Sequence, residues 1–147
     1  MSETTQAKTF VLHKQLAKDC IEIAELPLCK LLLSNDSSYP WFILVPKVHE
    51  VSEIYQLDWQ QQQQLLNESS LLSELLMQSF NGDKLNVAAL GNVVEQLHVH
   101  HVVRYEDDAQ WPKPIWGQQA AIPYSPEALS AVKAKLLPQL AVIFAEK

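Results

Sequence analysis

The run Gln96-Leu97-His98-Val99-His100 constrains this chain more than any other stretch, because polar and apolar residues alternate in it with a period of two. That period belongs to a strand with one buried face. It predicts that Gln96, His98 and His100 project to the same side, with same-face neighbours roughly 6–7 Å apart. Two imidazoles and an amide so placed can converge on a phosphate or on a metal ion. Neutral imidazole is a nucleophile, and charged imidazole donates to phosphate oxygens. A His-x-His pair can also bind a metal through ring nitrogens, and a solvated sheet face carrying polar residues is the plain structural alternative. His101 falls on the opposite face and is read as a satisfied core or interface histidine.

Composition narrows the partners. A chain of 147 residues with 48% apolar residues suits one domain, residues 1–147, with a core over about 10–117 and a C-terminal helix over about 125–145. The net charge of −6 and pI near 5.3 argue against a nucleic-acid backbone or an anionic membrane as partner, since both require a basic footprint. A small phosphorylated ligand remains compatible. Cys20 and Cys29 form no CxxC and read as buried free thiols. Met1 to Lys8 read as a polar, frayed start without a signal core, and no apolar run is long enough for a membrane span, so a cytoplasmic location is expected.

Along the chain, Phe10-Val11-Leu12 reads as a strand end and His13 to Asp19 as one or two helical turns. Cys20 to Leu26 and Leu28 to Leu33 read as neighbouring strands separated by Pro27, followed by a turn at Asn35 to Pro40. Trp41 to Val45, stopped by Pro46, should be a central strand. Asp58 and Gln61 form a capping box for a helix over about 58–80, with Leu65, Leu72, Leu76 and Phe80 at helical spacing. Asn81-Gly82-Asp83 ends it. Lys84 to Leu90 and Gln96 to Arg104 make the fourth and fifth strands. After Arg104, an acidic stretch leads into Trp111-Pro112-Lys113-Pro114-Ile115-Trp116-Gly117, a stiff aromatic loop that suits either a wall against a base or a segment folded onto the core. Ser125 and Pro126 start a last helix whose stripe is Leu129, Val132, Leu136, Leu140 and Ile143, with a kink expected at Pro138.

The run from Gly91-Asn92 through Gln96-Leu97-His98-Val99-His100-His101-Val102 to Arg104 resembles the signature of the histidine triad (HIT) family. In that signature a Gly-Gln pair leads into His-φ-His-φ-His-φ-φ, where φ is apolar. Here Asn92 replaces the glutamine of the pair, Gln96 the first histidine, and Val103 the proline usual before the arginine.

The resemblance implies an α+β fold with a five-stranded antiparallel sheet and two main helices, dimerising into a ten-stranded sheet. It implies a nucleotide hydrolase or nucleotidyl transferase acting at the α-phosphate of a nucleoside phosphoramidate or dinucleoside polyphosphate, without a cofactor or metal. His98 would be the nucleophile, its other ring nitrogen held by the Gly91 carbonyl, and His100 would be charged and hydrogen-bond the phosphate. Asn92 would donate to the same phosphate, Asn86 would contact the leaving group or ribose, and Asn35 or Asp36 would hold the ribose hydroxyls. Trp41 stands where many members carry a histidine; from the stiffness and aromatic character of its loop, Trp111 is the candidate to wall a base.

Gln96 is the departure with consequences. An amide donates a hydrogen bond but carries no proton to a leaving group, and loss of an acid catalyst typically costs on the order of 10²–10⁴-fold. A nucleotide-binding protein without turnover is therefore an alternative, and a His98/His100 metal site a further one.

Overall fold

The computed structural model describes residues 9–145. The expected frayed start, Met1 to Lys8, lies outside the described residues. The elements in order are α1 (Lys14–Asp19), β1 (Cys20–Glu25), β2 (Cys29–Ser34), β3 (Trp41–Pro46), a short 3₁₀ turn (Ile54–Gln56), α2 (Trp59–Phe80), β4 (Lys84–Ala88), β5 (Val99–Arg104) and α3 (Pro126–Phe144). The five strands form one antiparallel sheet in the order β1-β2-β3-β5-β4, with β3 at its centre. Both long helices and the five-stranded sheet match the expected fold.

Register sorts the side chains. Phe42 pairs with His101 and Leu44 with Val99, while Ile43 pairs with His100 and Trp41 with Val102. The Phe42, Leu44, Val99 and Val103 face meets Leu31 and Leu33 of β2, Leu65, Leu72, Leu75 and Leu76 of α2, and Leu136 and Leu140 of α3 in the main core. The Ile43 and His100 face is covered by the segment before α1 and by the loop after Arg104, through two small apolar clusters. The site lies on that second face, away from the long helices.

Local signals act as read. The Gln61 N–H donates to Asp58 and the Asp58 N–H to the Gln61 side chain, closing the capping box. Asn81 terminates α2 in the left-handed region at φ 51°. Gly82 follows because a Cβ there would run into the Val103 side chain. Ser125 Oγ accepts from the Ala128 N–H, and α3 continues through Pro138, whose missing N–H leaves the Ala134 carbonyl without its intrahelical donor.

Three expectations are corrected. Phe10 to Leu12 is not strand: this segment crosses the sheet face rather than lying along an edge, and Phe10 and Leu12 pack with Leu16, Ile43 and Trp41. The fourth strand stops at Ala88 rather than Leu90. The fifth begins at Val99 rather than Gln96, because the ladders of its neighbours end at Leu44↔Val99 and Ala88↔His100. Beyond that point no strand is left to pair with, and the Leu97 N–H donates to the Val51 carbonyl instead.

Candidate functional site

His98 and His100 sit edge to face, ring centroids 4.9 Å apart, each only 7% exposed. His98 Nδ1 is 2.7 Å from the backbone carbonyl of Gln96. A carbonyl only accepts, so Nδ1 carries a hydrogen, and in the neutral imidazole Nε2 keeps its lone pair. The expected partner was the Gly91 carbonyl. The bend at Gln96 brings a nearer carbonyl under the ring, while Gly91, at φ 72°, lines the small cleft beside His98.

His100 has the complementary tautomer. The Trp41 indole Nε1–H donates to His100 Nδ1 at 3.0 Å, and an indole can only donate. His100 Nδ1 is therefore unprotonated and Nε2 bears the hydrogen. His100 is thus a neutral donor, not the charged one expected. Burial is the main cause, with the neighbouring His98 and His101 adding to it, and together they lower its pKa to about 3. His101, fully buried on the other face, donates from Nδ1 to the Val99 carbonyl and accepts at Nε2 from Ser69 Oγ in α2, as a satisfied core histidine.

Gln96 does not share a strand face with the histidines. Its Oε1 accepts from the His13 N–H at 2.8 Å and its Nε2 donates to the Val11 carbonyl at 2.9 Å. Its amide thus holds the segment before α1 rather than facing open space. Asn92 is exposed on the bend after Gly91.

A cavity of about 450 Å³ opens beside Trp41, lined by Lys18, Asp19, Asn35, Asp36 and Trp116 among others. Asn35 and Asp36 therefore reach a pocket, and Asn35 Oδ1 and Asp36 Oδ1 are both engaged by backbone. Asn35 Oδ1 takes the Tyr124 N–H, and Asp36 Oδ1 takes the Ser38 and Ile122 N–H groups. These bonds pin the segment before α3 across the end of β2. Asn35 retains its amide donors on the cavity wall.

Asn86 and Trp111 serve the sheet end rather than the histidines. Arg104 is buried, donates twice to Asp108 and once to Asn86 Oδ1, and lies between the Tyr39 and Trp111 rings, each centroid 5.6 Å from Cζ. The Arg104 guanidinium holds the Asp108 carboxyl down at about 2. This cluster anchors the aromatic loop. The tryptophan it delivers to the site is Trp116, centroid 5.4 Å from His100 and 6.4 Å from Trp41. Trp116 Nε1 is buried without a hydrogen-bond partner in the protein. Loop residues carry no periodicity, so nothing in the sequence could rank Trp116 above Trp111.

Among the described residues no group of three or more His, Cys, Asp or Glu side chains could hold a metal ion, and no helix is long and apolar enough to cross a membrane.

A sheet of this order with two histidines of opposite tautomer on one face defines a class of α+β protein, and comparison with known proteins gives the family. The HIT domain model matches residues 15–107. The chain is 54% identical to a histidine triad protein from Marinobacter aquaeolei, covering 92% of this chain and 99% of that one at a TM-score of 0.90. It is 41% identical to a histidine triad protein from Bradyrhizobium japonicum, covering 89% and 98% at a TM-score of 0.87. A histidine triad protein from Sinorhizobium meliloti is 38% identical, covering 88% and 96% at a TM-score of 0.86. Comparison with curated proteins returned no match. The chain belongs to the HIT domain family.

Proposed function

We propose that this protein is a nucleotide hydrolase or nucleotidyl transferase in which His98 attacks the α-phosphate of a nucleoside phosphoramidate or dinucleoside polyphosphate. The observation that carries this reading is the pair of complementary tautomers. His98 presents a lone pair at Nε2, and His100 presents an N–H at Nε2 for a phosphoryl oxygen. A nucleophile beside a preorganised donor is what phosphoryl transfer requires of side chains. Family membership supports the nucleotide as substrate.

In the first step the Nε2 lone pair forms an N–P bond while the bond from phosphorus to the leaving group breaks, the leaving group departing with the electron pair. Water or another acceptor then attacks phosphorus and the N–P bond breaks, restoring His98. Base and ribose occupy the cavity beside Trp41, a volume of about 450 Å³ within the usual range for ligand sites, with Asn35 at its wall. The exposed edge of β4, with Val87 half exposed and Leu90 just beyond, is the edge through which two copies would join into a ten-stranded sheet.

One observation favours a second reading. Both polar groups of the Gln96 side chain are bound to backbone, so no acid stands at the first triad position. Leaving groups of low pKa suffer least, and a nucleotide-binding protein without turnover is the limiting case. Intact-mass spectrometry after mixing with adenosine and guanosine phosphoramidates and dinucleoside polyphosphates separates the two. A nucleotidyl adduct, or products lost in His98→Ala, supports the enzyme. Binding with neither, from about pH 5 to 8 where histidine changes charge, supports the binding module.

A further inference from the structure

We infer that Gln96 is a positioning residue that fixes the tautomer of His98 by strapping the segment 11–13 to the loop before β5, an inference that rests on His98 being the nucleophile. Three bonds converge on this residue. Its backbone carbonyl accepts from His98 Nδ1 at 2.7 Å, its Oε1 accepts from the His13 N–H at 2.8 Å, and its Nε2 donates to the Val11 carbonyl at 2.9 Å. The two side-chain bonds reach back 83 and 85 residues. The carbonyl that orients the nucleophile therefore belongs to a residue held through both polar atoms of its side-chain amide.

That hold is needed because Gln96 lies outside the ladder. Neither β3 nor β4 extends to it, so no strand pairing orients its peptide plane. Were the plane to turn, Nδ1–H would lose its acceptor, and the imidazole would populate the tautomer whose Nε2 carries a proton and cannot attack phosphorus. An amide supplies one donor and one acceptor at every pH at which the protein folds. An imidazole in its place supplies both only while neutral.

The strap also reaches the cavity. His13 is the N-cap of α1, its Nδ1 accepting from the Gln15 N–H, and α1 ends in Lys18 and Asp19 on the cavity wall. Phe10 and Leu12 pack onto the same face of the sheet as Trp41 and Ile43. One side chain thus ties the nucleophile's anchor to the wall beside which the nucleotide is placed.

Gln96→Glu tests this with little change of shape: it removes the donor and sets a carboxylate oxygen against the Val11 carbonyl. In ¹⁵N-histidine-labelled protein, wild-type His98 should show a single neutral tautomer with Nδ1 protonated, and Gln96→Glu a mixture. Turnover should fall about 10–100-fold, as expected of a displaced reacting group. The strap can also be released from its other end. His13→Pro deletes the N–H that Oε1 accepts, at a φ of −56° that proline adopts, and should move the His98 signals the same way.

Unchanged His98 signals in both variants, with amide exchange of residues 9–13 accelerated, would reduce Gln96 to a fastening for the chain and overturn the inference. The nucleophile reading fails separately, through an active His98→Ala, whereas the resting tautomer is read without substrate.

Discussion

Trp41 Nε1 and His100 Nδ1 are joined by a 3.0 Å hydrogen bond across the β3–β5 ladder, and this bond sets the tautomer of His100. Indole never accepts, so the histidine must. Trp41→Phe keeps an aromatic ring and deletes the donor. His100 should then exchange between tautomers, diluting the Nε2–H form, and turnover at pH 7 should fall up to about tenfold, the value of one hydrogen bond. The check is the ¹⁵N spectrum of His100 alongside kcat, and an unaltered spectrum would remove the indole from this role.

Burial of two neutral histidines makes the fold sensitive to acid. The pKa of His100 is lowered to about 3 and that of His101 to about 4, in both cases chiefly by burial, from an ordinary value of 6.5. Below pH 6.5 the unfolded chain takes up protons that the folded one refuses, so stability is complete above that pH and falls as pH drops toward 4 and 3. At pH 5 the loss is about 2 kcal/mol for each histidine. Urea denaturation at pH 7.5 and 5 should show it, and His101→Asn should flatten the slope; equal slopes would contradict the assignment.

Strong local signals made most of this fold legible. Trp41 to Val45 is a β-branched and aromatic run closed by proline, and Asp58 with Gln61 is a cap whose partners lie three residues apart, so each element is fixed by its own residues. What could not be read depends on distant chain. Gln96 left the strand because its neighbours end too soon, and His100 carries its hydrogen on Nε2 because a tryptophan 59 residues away donates to Nδ1. Alternation predicts which way side chains point, not where a ladder stops or which partner supplies a proton. The sequence leaves the aromatic loop open between a wall against a base and a segment folded onto the core, and the place of Trp111 over Arg104 follows from a buried cluster assembled from four segments.

That cluster predicts an asymmetric pair of outcomes. Arg104 is 1% exposed and its charge is matched by Asp108. Asp108→Ala leaves a buried guanidinium uncompensated and should destabilise by about 3–5 kcal/mol, whereas Arg104→Met combined with Asp108→Ala should recover most of that loss. Thermal unfolding of both variants measures it. A single variant as stable as the wild type would mean that water reaches Arg104.

Glu68 is a fully buried carboxylate on α2, a face otherwise reserved for leucines. Its Oε2 accepts from the Leu28 N–H at 2.7 Å and the Gln64 amide at 2.7 Å, and its Oε1 accepts from the Cys29 N–H at 3.0 Å. The hairpin between β1 and β2 turns there around Pro27, so these two N–H groups meet the helix carboxylate instead of a strand. The helix and the hairpin are thus fastened at one point. Glu68→Leu would suit the apolar surroundings by volume yet leave two backbone donors unpaired, at about 1–3 kcal/mol each. Glu68→Gln keeps an acceptor for one of them and turns an N–H toward the other, so it should fall between wild type and Glu68→Leu. Chemical denaturation ranks the three, and amide exchange at Leu28 and Cys29 locates the effect. A Glu68→Leu protein more stable than wild type would show that the cost of burying the carboxylate exceeds what the two backbone bonds return.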